Sequence, residues 1–162
     1  MKWHSNSRQL VQKGYQRLTI IRNLYEFDIP QEDLVLIYTL YIRSILEFNS
    51  NVWFSSLTVE ERENIERVQW VACKIILKDE YTNNNHALQK LKLSNLSERR
   101  QTLASRFAHK CVKSERFSDL FPAHSNNVEL RNGQKYQVKF ENTTRLKDSS
   151  IPAMQKLLNR KK

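Results

Sequence analysis

Glycine occurs twice and proline three times in 162 residues. So few turn formers disfavour sheets built on tight hairpins and favour long helices joined by short polar breaks. The two glycines, Gly14 and Gly133, stand far apart, which excludes a glycine-rich phosphate loop. Cysteine is as scarce, with Cys73 and Cys111 alone, so no disulfide framework is expected. No charged segment followed by an apolar run opens the sequence, and a reducing intracellular compartment, nucleus or cytoplasm, is the expected setting. The most apolar stretch, Leu34 to Phe48, is too short to span a bilayer and carries Arg43 and Glu47. No membrane partner is expected.

Constellations for catalysis are also missing. His4, His86, His109 and His124 are widely spaced, and His109-Lys110-Cys111 has no second pair at zinc-type spacing. Asp79-Glu80 falls in a polar break, whereas two-metal chemistry needs carboxylates converging in a rigid site. Cys73 lies near an apolar stripe and reads as a small core residue. The sequence therefore predicts no catalytic residue, no bound metal and no cofactor.

What is abundant is positive charge. The formal net charge is +10, which makes polyanions, and the phosphate backbone of RNA or DNA in particular, the leading partner class. Residues 82–162 hold 17 Lys and Arg against 6 Asp and Glu, while residues 1–81 hold 10 against 11. The basic surface belongs to the second half.

Apolar periodicity organises the rest. Leu10, Val11, Tyr15, Leu18, Ile21 and Tyr25 recur at spacings of three and four, predicting an amphipathic helix over residues 5–27 that stops at Asp28-Ile29-Pro30. A second helix from Gln31 to Phe48 has almost no polar face and is expected to be surrounded by protein. Thr58-Val59-Glu60-Glu61 reads as a capping box opening a third helix, with a stripe of Ile65, Val68, Ala72, Ile75 and Ile76. A short helix with His86, Leu88 and Leu91 follows, then a fifth over residues 96–114 behind the cap signature Asn95-Leu96-Ser97-Glu98. Alternation in residues 135–140 suits one short strand or an extended arm, and Pro152 opens a last short helix anchored by Leu157 and Leu158. The expected fold is all-α: a single bundle of about five to six helices over residues 1–121, and a basic, partly extended tail over residues 122–162.

On the fifth helix Leu96, Leu103, Ala104, Phe107 and Cys111 share the expected core face, and Arg99, Arg106, Lys110 and Lys113 line up within about 60° on its flank. That flank is either a track for phosphates or a solvated charged face. Arg100 points toward the apolar side and is expected to pair internally. Lys135, Lys139, Arg145 and Lys147 form a second basic set in the tail. Tyr15, Tyr25, Tyr38, Tyr41, Trp53, Phe54, Phe107 and Phe121 hold core-type positions and are expected to pack, although aromatic faces can also stack on bases. Trp70 sits on the far side of the third helix from Ile65 and Ala72, where an exposed indole would mark a contact surface or second packing layer.

The order of short motifs carries a resemblance. Residues 36–47, LIYTLYIRSILE, followed by Val52-Trp53 and Ser56-Leu57-Thr58, resemble a signature found downstream of the polymerase core in LINE-type (non-LTR) reverse transcriptases of the jockey and chicken-repeat groups. The likeness continues through Ile65-Glu66-Arg67-Val68-Gln69, Lys74-Ile75-Ile76-Leu77, Ala87-Leu88 with Leu91, and Glu98-Arg99-Arg100. Phe107-Ala108-His109-Lys110, Leu120-Phe121-Pro122 and Ile151-Pro152 with Met154-Gln155 and Leu157-Leu158-Asn159 extend it over nearly the whole chain. Trp70, where that family usually has a polar or charged residue, and residues 127–131 depart from the pattern. The resemblance implies thumb and post-thumb helices, which in such enzymes grip primer and template and meet the palm and fingers. It also implies a non-catalytic piece, because the family's metal-binding palm aspartates have no counterpart here. The alternative is a folded interaction module with no nucleic-acid affinity of its own.

Overall fold

The computed structural model describes residues 3–123, 135–138 and 143–159. Among these residues every regular element is helical, the all-α class expected. Packing divides the chain into two compact units, Met1–Ser50 with Leu57–Arg99, and Asn51–Ser56 with Arg100–Lys162. The division expected after residue 121 falls within the second.

Helix α1 (His4–Glu26) ends where Asp28 takes a left-handed conformation (φ 54°) two residues before Pro30. Leu18 and Ile21 are its fully buried apolar side chains, and Gly14 is buried one turn before them. A Cβ on Gly14 would stand 2.8 Å from Cγ1 and 3.3 Å from Cγ2 of Val68, and 3.4 Å from Cδ2 of Leu46. Glycine in a helix interior costs about 1 kcal/mol against alanine. Here it leaves room for the Val68 and Leu46 side chains.

Helix α2 comprises Gln31–Ile37, a π-wound stretch Tyr38–Arg43, and Ser44–Glu47, running without a break in helical backbone. Leu34, Tyr38, Ile42 and Leu46 are its buried residues, each four apart. In a regular α-helix such positions drift about 40° per step. The wider π winding reduces that drift and keeps the row in line. The opposite side corrects the sequence expectation: Leu36 (53% exposed) and Leu40 (65%) face solvent, so α2 is not covered all round. An apolar run with no polar face says that neighbours are favourable, not where the chain supplies them.

After α3 (Ser50–Trp53) and a 3-10 turn (Phe54–Ser56), helix α4 (Val59–Leu77) starts at the expected capping box. The amide of Glu61 donates to Thr58 Oγ1 at 3.2 Å and the Thr58 amide donates to Glu61 Oε2 at 2.9 Å. Of the predicted stripe Ile65, Val68, Ala72 and Ile76 are buried, with Cys73 beside them, and Ile75 is half-buried. Trp70 is half-buried.

Buried and part-buried polar side chains of α2 and α4 hold each other and the chain around Ser94 to Leu96. Tyr38 Oη donates to Gln69 Oε1 at 3.0 Å, Gln69 Nε2 donates to the Ser94 carbonyl at 2.9 Å, and the Leu96 amide donates to Glu66 Oε2 at 3.2 Å. Helix α5 (Asn84–Lys90) is capped by Asn83, whose side chain accepts from the His86 amide at 2.9 Å. Helix α6 (Leu96–Lys113) begins at the cap signature, where Asn95 Oδ1 accepts from the Ser97 amide at 2.8 Å.

The second unit has its own core of Ala108, Cys111, Phe121, Tyr136 and Met154, with Val112 and Leu158 packed against it. Phe121 and Tyr136 meet edge to face at 6.4 Å. Of the stretch expected to be extended, Lys139 and Phe140 lie outside the described residues, and Tyr136 forms one isolated antiparallel bridge with Ala123. On its other side Asn159 imitates a strand: the Tyr136 amide donates to Asn159 Oδ1 and Asn159 Nδ2 donates to the Tyr136 carbonyl, both at 2.9 Å. A turn of helix, α7 (Thr144–Lys147), precedes α8 (Ser150–Asn159), which carries Pro152 in its first turn as expected. Its buried residues are Pro152, Met154 and Gln155, and the expected anchors Leu157 and Leu158 are half-buried. Gln155 is held by donating to the Leu120 carbonyl at 2.8 Å.

Candidate nucleic-acid interface

The four cations predicted for one flank of α6 have different surroundings. Arg99 grips Glu47, donating from Nε to Oε1 at 2.5 Å and from Nη2 to Oε2 at 3.1 Å. That hydrogen bond raises the Arg99 pKa, while burial and then the charge of Arg99 lower that of Arg43. The charge of Arg99 is thus largely spent on a carboxylate within its own unit. The sequence offered no sign of this, because the partner lies 52 residues away. Arg100 is fully buried as expected, with its guanidinium 5.5 Å from the Trp53 ring centre and 5.3 Å from that of Phe54.

Arg106, Lys110 and Lys113 are exposed. At about 100° per residue they fall within about 60° of one another, so the downstream part of α6 brings three of the four to one edge. No Asp or Glu occurs between Glu98 and Glu115, so none of the three has a carboxylate three or four residues away on the helix. Their charge has no intrahelical counterion.

Phe107 corrects its expected place in the core, since it is 41% exposed. In the second unit the buried residues of α6 are Arg100, Ala108 and Cys111, and Phe107 falls roughly 60° from the middle of that face. It lies instead toward the edge that carries Lys110. The apolar spacing places Phe107 with Leu103, Ala104 and Cys111 and leaves Ala108 out of the expected core face.

The tail set is only partly placed. Lys135 is exposed, with its Nζ 5.6 Å from the Tyr136 ring centre, and Lys147 is exposed. Lys139 lies outside the described residues, and so does the side chain of Arg145. Of the other aromatics expected in the core, Tyr38, Trp53, Phe54 and Phe121 are buried, whereas Tyr15 is 39% and Tyr41 43% exposed. Arg17 covers Tyr41, its guanidinium 4.2 Å from the ring centre, and donates to the Tyr41 carbonyl at 2.5 Å.

Burial pushes the Cys73 thiol up to about 11, which keeps it protonated and weakly nucleophilic at neutral pH. Among the described residues no three His, Cys, Asp or Glu side chains are grouped to hold a metal, and no helix is long and apolar enough to cross a membrane. Comparison with protein-family models, curated proteins and solved structures finds no match to this chain.

Proposed function

We propose that the chain is the non-catalytic thumb and post-thumb part of a LINE-type reverse transcriptase, and that it holds primer–template nucleic acid by its phosphate backbone. The observation that carries the binding half of this reading is the exposed edge of Arg106, Lys110 and Lys113, three cations without an intrahelical counterion. Such an edge gains affinity by releasing the counterions condensed on a polyanion. The parentage rests on the ordered motifs, from residues 36–47 to Leu157-Leu158-Asn159. Catalysis of nucleotide addition is assigned to the palm of the parent enzyme, which would be the chain's protein partner.

The test is a titration of the chain with an RNA–DNA hybrid across a range of salt. Affinity should fall linearly on a log–log plot, with similar slopes for unrelated sequences, because phosphate contacts do not read bases. Absence of binding at low salt removes the proposal.

The exposed Leu36 and Leu40 of α2 favour a second reading, an interaction module whose apolar face is covered by another protein. It predicts concentration-dependent self-association in sedimentation, relieved by Leu36→Gln and Leu40→Gln, without nucleic-acid binding.

A further inference from the structure

Phe107 is 41% exposed and stands next in sequence to Arg106 and one helical turn before Lys110, both exposed. We infer that this edge of α6 takes a single strand of RNA or DNA, with Phe107 stacking on an unpaired base while Arg106, Lys110 and Lys113 hold the adjoining phosphates. The inference rests on the proposed nucleic-acid function and specifies the form of ligand the same edge accepts.

Three features carry it. First, Phe107 stands at the margin of the second core: Ala108 and, one turn on, Cys111 are buried in it, while Phe107 keeps 41% of its surface exposed. Second, phenylalanine carries no hydrogen-bonding group, so an exposed ring among cations can add affinity only through its apolar faces. A ligand that satisfies both parts must present phosphate and an uncovered planar surface together. In a duplex, stacking on neighbouring pairs hides the base faces. A single strand exposes them, and aromatic side chains beside a basic track are the usual means of holding it without reading sequence. Third, Lys110 lies about 60° around the helix from Phe107, three residues on, so ring and ammonium project from neighbouring positions without sharing one. Phe117 and Leu120 are also part-exposed in this unit, but they lie beyond the end of α6, outside the row of three cations.

The experiment compares Phe107→Leu and Phe107→Trp in the full chain, with a labelled oligothymidylate and a blunt RNA–DNA hybrid as probes. Leucine keeps the apolar volume and helix propensity but has no stacking face, and tryptophan keeps the face. Phe107→Leu should weaken the single strand by at least about 5-fold, the lower end of the roughly 5-fold to 150-fold that loss of one base stacked on an aromatic ring brings. The hybrid should change by less than about 2-fold and the salt slope for the strand should stay the same, since no phosphate contact is lost. Phe107→Trp should match the parent. Equal losses for strand and hybrid, or no loss for either, overturn the inference while leaving the backbone reading intact. Failure of the unaltered chain to bind either probe removes both. Circular dichroism melting of each variant separates a packing role, which leucine would largely preserve, from stacking.

Discussion

Arg99 and Glu47 form a two-point ion pair, Nε to Oε1 at 2.5 Å and Nη2 to Oε2 at 3.1 Å, with 34% of the arginine side chain and 12% of the carboxylate side chain exposed. Geometry of this kind is stronger than a single-point contact, and the low exposure of Glu47 limits screening at that end. Arg99→Gln is expected to lower stability by about 1–2 kcal/mol in urea titrations, allowing for the part of the arginine in water. Its effect on the salt slope of nucleic-acid binding should be near zero. A slope reduced as much as by loss of Lys110 would mean that Arg99 leaves Glu47 to contact phosphate.

Gly14 lies where a Cβ would meet Val68 Cγ1 at 2.8 Å. Two effects oppose in Gly14→Ala: helix propensity favours alanine by about 1 kcal/mol, and overpacking opposes it by about 1–3 kcal/mol. Overpacking should win, because valine is stiff at χ1 and both of its methyl carbons are within 3.3 Å of the new carbon. The variant should melt lower than the parent, and adding Val68→Ala should recover part of the loss left by the clash. A higher melting temperature for Gly14→Ala alone contradicts the close approach.

Glu61 is where the end of one helix meets acid pH. Burial raises its pKa, but hydrogen bonds from the Thr58 amide, His4, Ser7 and the Thr58 hydroxyl together outweigh burial and hold the carboxyl below its ordinary range. His4 Nδ1 is 3.0 Å and Ser7 Oγ 3.1 Å from Glu61 Oε1. A carboxylate with a depressed folded pKa contributes stability that is fully present above its unfolded value, about 4.3, and is lost as pH falls through the folded one. The stability difference between the parent and Glu61→Gln should therefore be steady near neutrality and shrink below about pH 4.5. A difference that grows on acidification would reverse the assigned sign.

The features legible in the sequence are those fixed within one turn of chain. Thr58 and Glu61 are three apart, so their reciprocal cap is visible before folding, and Pro152 marks its own place in a first turn. Apolar rows also predict helices well, as α1, α4 and α6 show. What the rows do not contain is the neighbour. Leu36 and Leu40 look as buried as Leu34 and Ile42 until the packing shows that α2 is not covered all round, and Phe107 looks like core until Ala108 is seen there. Arg99 is on the predicted flank of its helix, yet a carboxylate distant in sequence holds it. Tyr136 falls in an alternating stretch, but its pairing depends on Ala123 and Asn159, neither of which local pattern connects to it.

The sharpest expectation concerns Arg106, Lys110 and Lys113 together. All three are exposed and share one edge, and none has an acidic residue one turn away, so replacing them with glutamine removes charge without breaking intrahelical ion pairs. Glutamine is a comparable helix former, and the buried Ala108 and Cys111 that hold this part of α6 are untouched. The folded triple variant should lose roughly 2–3 from the magnitude of the slope of log affinity against log salt, at about 0.7–0.9 per phosphate. Affinity should fall alike for different sequences, because the lost contacts position the ligand without reading it. Adding Arg99→Gln to the triple variant should lower its melting temperature while leaving the slope where the triple variant put it. An unchanged slope in a folded triple variant would assign this edge to ordinary solvation and move the phosphate contacts to Lys135 and Lys147, which the same substitution and salt titration can then address.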